Sequence, residues 1–128
     1  MLNLDTHIVV YALTGELTGE ERRLLRSDSW SVSAIVLWEL AKLAQLDRIE
    51  VDMESADFTR RFSRSHVWPL DLDTCRQSVS LDFHGDPADE IIAATSITRN
   101  VPLLTRDRRI LASKQVPFAG RISPPRTR

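Results

Sequence analysis

Short apolar runs alternate along the chain with stretches of helical period, and this alternation predicts a parallel sheet flanked by helices. Leu2 to Leu4 reads as a first strand ending at Asp5. A helical pattern runs from Thr6 to about Leu13, and Thr14-Gly15 marks a break. Thr18, Gly19, Glu20 and Glu21 form a capping box that opens a polar helix to about Arg26. Trp30 to Val32 is a second strand, and Ser33 caps a long helix to about Leu46, closed by Asp47-Arg48. Another helix spans about Glu54 to Ser63. His66 to Leu70 is a third strand, and Pro69 places it near a sheet edge, because proline cannot donate to a ladder. Thr74 to Leu81 is helical. Asp86 as N-cap and Pro87 at the first helical position start a helix to about Thr98, closed by Arg99-Asn100. Pro102 to Thr105 is a fourth strand, Arg108 to Ala112 a short helix, and Val116 to Phe118 a last strand. The Pro- and Arg-rich end, about residues 121–128, reads as a frayed tail. Neither a repeat nor a linker interrupts the pattern, so residues 1–128 read as one domain of α/β class, three layers (α/β/α) around a central parallel sheet.

Four acids break the apolar pattern: Asp5, Glu39, Asp89 and Asp107. In open parallel sheets ligands bind beyond the carboxyl ends of the strands. Asp5 ends the first strand and Asp107 comes just after the fourth, so both fall at that edge. Glu39 shares a helix row with Ile35, Leu43 and Leu46, which predicts partial burial. Asp89 lies in the first turn of its helix, on the face that carries Ile92, Ala93 and Ser96. A carboxylate out of water is costly without a compensating cation. Each acid has a plain structural explanation: Asp5, Asp86 and Asp107 could cap helices, Asp89 could favour a helix dipole, and Glu39 could pair with an arginine. Taken together they are better explained as a cage for a hard divalent cation such as Mg²⁺ or Mn²⁺, with phosphodiester hydrolysis as the natural chemistry. Thr6 and Thr105 adjoin two of the acids and could orient a carboxylate or a bound water.

Composition narrows the field. A chain of 128 residues, 42% hydrophobic, can bury one sizeable core. With 27% charged residues and a net charge of -1 it is neither disordered nor grossly basic. The single cysteine, Cys75, allows no internal disulfide, suits a reducing cytoplasm and reads as a small buried residue. No signal peptide or membrane-length apolar run is present, which predicts a soluble cytoplasmic protein. His7 and His84 lack partners at zinc spacing. Arg106, Arg108 and Arg109 surround Asp107 and could hold an RNA backbone, whereas Arg60, Arg61 and Arg64 read as a solvated face. An aspartyl phosphatase would want an acid at position 7, where His7 stands, and a receiver domain would want a lysine after a late strand, where Arg106 stands.

LDTH at the start, SAIVLWELAKLAQLDRI in the middle, and HGDPADEIIAATS with VPLLTRD near the end resemble a PIN-domain ribonuclease of the VapC-type toxin group. The resemblance spans essentially the whole chain. It implies Mg²⁺- or Mn²⁺-dependent endoribonuclease activity with Asp5, Glu39, Asp89 and Asp107 as metal-holding catalytic residues and Asp86 as a secondary one. It also implies a homodimer and a cognate antitoxin that blocks the site and contacts operator DNA, so that DNA is met only indirectly. One position departs from the pattern, since Glu90 stands where many relatives carry arginine. A rival reading is a PIN-like module that acts mainly by binding its partner in repression. Retention of all four acids speaks for the enzyme.

Overall fold

A computed structural model describes residues 1–120. The predicted tail lies outside the described residues. The elements run β1 Leu2–Leu4, α1 Thr6–Thr14, α2 Gly19–Ser27, β2 Trp30–Ser33, α3 Ala34–Gln45, α4 Ala56–Phe62, β3 His66–Trp68, α5 Leu72–Ser78, α6 Pro87–Arg99, β4 Leu103–Leu104 and α7 Arg108–Leu111. The strands form one sheet in the order β3-β2-β1-β4, every pairing parallel. Helices flank it, as the alternating pattern predicts.

Local chemistry sets most of the boundaries. The capping box is complete: the Glu21 amide donates to the Thr18 hydroxyl, and the Thr18 amide donates to the Glu21 carboxylate. Gly15 closes α1 with φ +79°, a left-handed conformation that costs glycine least. Asn100 closes α6 in the same way at φ 54°.

Four expectations shift. The helix expected at 74–81 begins earlier, because Asp71 caps it by accepting from the Thr74 amide. The helix expected from Glu54 starts at Ala56, with Ser55 accepting from the Phe58 amide. The third strand stops at Trp68, before Pro69, and lies at the sheet edge. The expected last strand reduces to a single parallel bridge between Phe118 and Leu103.

The core gathers between sheet and helices. Leu4, Ile8, Val9, Val32, Val36, Leu40, Ile92, Leu103 and Ile110 are sealed from solvent or nearly so. Asn3 on β1 is among the polar residues sealed with them: its amide donates to the Ile92 carbonyl at 3.2 Å and the Ser96 hydroxyl at 2.9 Å, which ties α6 to the central strand. Ser96 therefore serves as an anchor for that helix. Cys75, expected inside, is exposed on α5. Buried Thr74 takes the inward position of that short helix instead.

Candidate active site

β1 lies between β2 and β4, although β4 is last in the sequence. The strand order therefore reverses beside β1, and a crevice opens at the carboxyl ends of β1 and β4. Asp5 comes directly after β1, and Asp107 comes after β4, Thr105 and Arg106. The topology thus brings two acids 102 positions apart in sequence to one edge.

Asp5 is buried, and both of its oxygens are engaged. Oδ1 accepts from the Thr6 amide at 2.8 Å and Oδ2 from the Thr105 hydroxyl at 2.6 Å. Burial is the largest influence on its carboxyl and pushes the pKa up, against the lowering effect of these hydrogen bonds. Glu39 is half-buried, and its Oε1 accepts from the Thr6 hydroxyl at 2.5 Å. Its helix row is only partly inward, because Val36 and Leu40 form the buried stripe of α3 and Leu46 is exposed. Glu39 therefore sits on the flank of that stripe, where a side chain reaches the crevice rather than the core. No arginine meets it among the described residues.

Asp107 caps α7, with Oδ1 accepting from the amides of Arg109 and Ile110. The capping explanation is thus true of Asp5 and Asp107, yet for Asp107 it occupies one oxygen and leaves the other for the crevice. Asp86 stands at the N-cap of α6 without a side-chain cap hydrogen bond, which corrects the expectation that it caps. Its side chain is exposed.

Asp89 reports on the whole set. Its carboxyl is pushed up to about 6, first by burial and then by the negative charges of Asp5, Asp107, Glu39 and Asp86. A Cβ at Gly85 would stand 3.4 Å from the Asp89 Cβ, so the 82–86 loop lies against this side chain and shields it from water. Among the described residues, none of Asp5, Glu39, Asp89 and Asp107 forms an ion pair. Like charges converge, and among the described residues the basic influence on Asp5 is that of His7, next but one to it.

The basic residues divide. Arg106 is turned from the crevice and grips Glu21 on α2. Arg108 and Arg109 are exposed at the start of α7, with Arg109 also donating to the His84 carbonyl at 3.2 Å. Arg60, Arg61 and Arg64 line a cavity with Trp30 at the opposite end of β2, away from the acids. Glu90 does not join the cluster: its carboxylate accepts from the Gly85 amide at 3.4 Å and lies 4.0 Å from His84.

Residues 3–115 match the sequence model of the PIN domain. The chain belongs to the PIN-domain family. Ribonuclease VapC22 of Mycobacterium tuberculosis is 34% identical to it over 88 residues, 66% of this chain and 67% of that protein. A toxin–antitoxin complex from Klebsiella pneumoniae contains a chain with a TM-score of 0.69 at 20% identity, over 88% of this chain and 91% of that one. VapBC2 from Rickettsia felis, bound to a DNA fragment from its promoter, gives 0.69 at 19% identity, over 93% of this chain and 98% of that one. The fold of these proteins is the fold of this PIN domain.

The four candidate side chains offer only carboxylate oxygen, the kind of donor that suits a hard divalent cation. Among the described residues no three acidic, His or Cys side chains stand close enough to enclose an ion unaided. Mg²⁺ and Mn²⁺ do not require a closed protein cage, because waters and substrate phosphate complete their shell. Two residues escaped sequence reading. Asn3 positions α6 beneath Asp89, and its signal was an amide inside an apolar strand. Glu21 was explained by its capping box and gave no sign of a second, long-range role.

Proposed function

We propose that this PIN domain is a Mg²⁺- or Mn²⁺-dependent endoribonuclease, the toxin of a type II toxin–antitoxin pair. One observation carries the reading: Asp5, Glu39, Asp89 and Asp107 act on one crevice with no lysine or arginine paired to them among the described residues, and the charges of the other three help drive Asp89 to about 6. That arrangement is unfavourable until a cation arrives. The ribonuclease relative supports the RNA substrate, and the toxin–antitoxin neighbours support an antitoxin partner.

A bound divalent ion would neutralise charge on the scissile phosphate and acidify a water. The protein supplies the frame. Thr105 holds the Asp5 carboxylate by one oxygen, and Thr6 holds both the other oxygen and Glu39, so two acids are fixed by adjacent polar groups. Asp89 and the free oxygen of Asp107 complete the donor set, and Asp86 adds charge at the rim. Exposed Arg108 and Arg109, beside Asp107, would meet the phosphates of an RNA strand. An antitoxin would close the crevice and carry the contact with operator DNA, and two copies of the chain would pair as a homodimer in the cytoplasm.

The test is cleavage of a mixed cellular RNA pool by purified protein with Mg²⁺, with Mn²⁺ and with chelator. Discrete products that require metal are expected. The same metals should raise the melting temperature of the wild type, since a ligand at 100 times its Kd stabilises by about 2.7 kcal/mol. A folded, partner-free protein that cuts nothing under either metal would turn the reading toward a binding module.

A further inference from the structure

The turn that carries Thr105 and Asp107 is held from outside the sheet. β4 is two residues long, too short to fix the turn beyond it. Between the two site residues, Arg106 points the other way and makes a fork with buried Glu21 of α2: Nε to Oε2 at 2.8 Å and Nη2 to Oε1 at 2.7 Å. Nη2 also donates to the Glu16 carbonyl at 3.1 Å, and the guanidinium lies 4.0 Å from the centre of the Tyr11 ring. Planar, two-point pairs of this kind fix orientation as well as distance. On the inner side of the same turn, the Thr105 hydroxyl donates to Asp5 and accepts from the Asp107 amide at 3.0 Å. A rotation of the turn that freed Arg106 would move both.

We propose that Arg106 is a positioning residue: its pair with Glu21 clamps the 105–107 turn to the α1–α2 segment and so sets the Thr105 hydroxyl and the Asp107 carboxylate against Asp5. This rests on the reading of the acidic crevice as a metal site. It also replaces the expectation that Arg106 holds RNA, because its guanidinium is engaged by α1, α2 and the loop between them. Residues that orient metal-holding side chains without touching metal commonly set affinity on a scale of about 10- to 100-fold.

The experiment compares Mn²⁺ affinity by calorimetry, without RNA, for full-length wild type, Arg106→Gln, Glu21→Gln, Arg106→Lys and Asp89→Asn, with cooperative melting checked for each. Arg106→Gln and Glu21→Gln should each weaken Mn²⁺ binding about tenfold while still melting cooperatively. Arg106→Lys keeps the charge but not the fork, and should recover part of that loss; it also carries the test if the glutamine variant does not fold. RNA cleavage should then show a fall in kcat at saturating RNA with KM little changed. Unaltered Mn²⁺ affinity in both glutamine variants overturns the inference, as does a rise in KM for RNA confined to Arg106→Gln. Wild type that fails to bind Mn²⁺, or binds it independently of Asp89, overturns the reading of the crevice itself and the inference with it.

Discussion

Replacing Asp89 by asparagine is expected to lower RNA cleavage at least about 100-fold, the scale on which losing one charge-stabilising group acts, and to stabilise the metal-free protein at neutral pH. The two effects have one cause. The folded-state carboxyl titrates near 6, above its ordinary 3.8, because burial and four neighbouring acids disfavour its charge. A raised carboxyl favours folding fully below the unfolded value, and that contribution is lost as pH rises through the folded one. The wild type should therefore lose stability between about pH 4 and 6 in the presence of chelator. Asp89→Asn, with nothing to titrate, should lose less and be ahead above pH 6 by about 1 kcal/mol, a figure reduced for the exposure of the side chain. Melting curves across this pH range, with chelator and with Mn²⁺, give the comparison. A metal-free variant that melts well below wild type at pH 7 would make Asp89 a structural residue. Asp5 should behave differently. Asp5→Ala should abolish cleavage too, but it strips the Thr6 amide and the Thr105 hydroxyl of their acceptor, so relief of charge is offset by the lost hydrogen bonds.

Ile92→Ala is expected to cost about 3 kcal/mol of stability, read as a lower urea midpoint at unchanged slope. Ile92 is sealed from solvent in the middle of α6. Its carbonyl takes the Asn3 amide at 3.2 Å, so the backbone at that point is held against β1 and cannot easily close around a void. The helix could shift only by breaking that tie and the neighbouring one to Ser96. Because Asp89 stands one turn earlier on the same face, the variant should also bind Mn²⁺ more weakly. A loss below about 1 kcal/mol would mean that α6 is seated less firmly than its burial requires.

The sequence by itself determined the order of the elements as far as α7, the parallel character of the sheet and the candidate acids. These are short-range matters: strand and helix periodicities differ, and Thr18, Ser33, Gly15 and Asn100 mark helix ends through bonds to residues a few positions away. It also pointed to Thr6 and Thr105, because each adjoins a candidate acid and a hydroxyl can orient a carboxylate. It misjudged features that depend on what lies across the fold. Asp86 looks like a cap in sequence, yet its side chain makes no cap hydrogen bond. Leu46 shares a row with Glu39 but lies beyond the end of α3 and faces solvent. Cys75 has an apolar side chain that the short helix α5 turns outward.

Arg106 is the clearest case of a residue that only the tertiary structure could place. In sequence it belongs with Arg108 and Arg109, a basic group beside Asp107. In the fold a partner 85 positions away claims it. The reversal of strand order beside β1, the repulsion that raises Asp89 and the clamp on the 105–107 turn all arise from contacts between segments distant in the chain. Periodicity and capping are written in neighbouring residues; charge and geometry at the crevice are set only when the sheet brings its strands side by side.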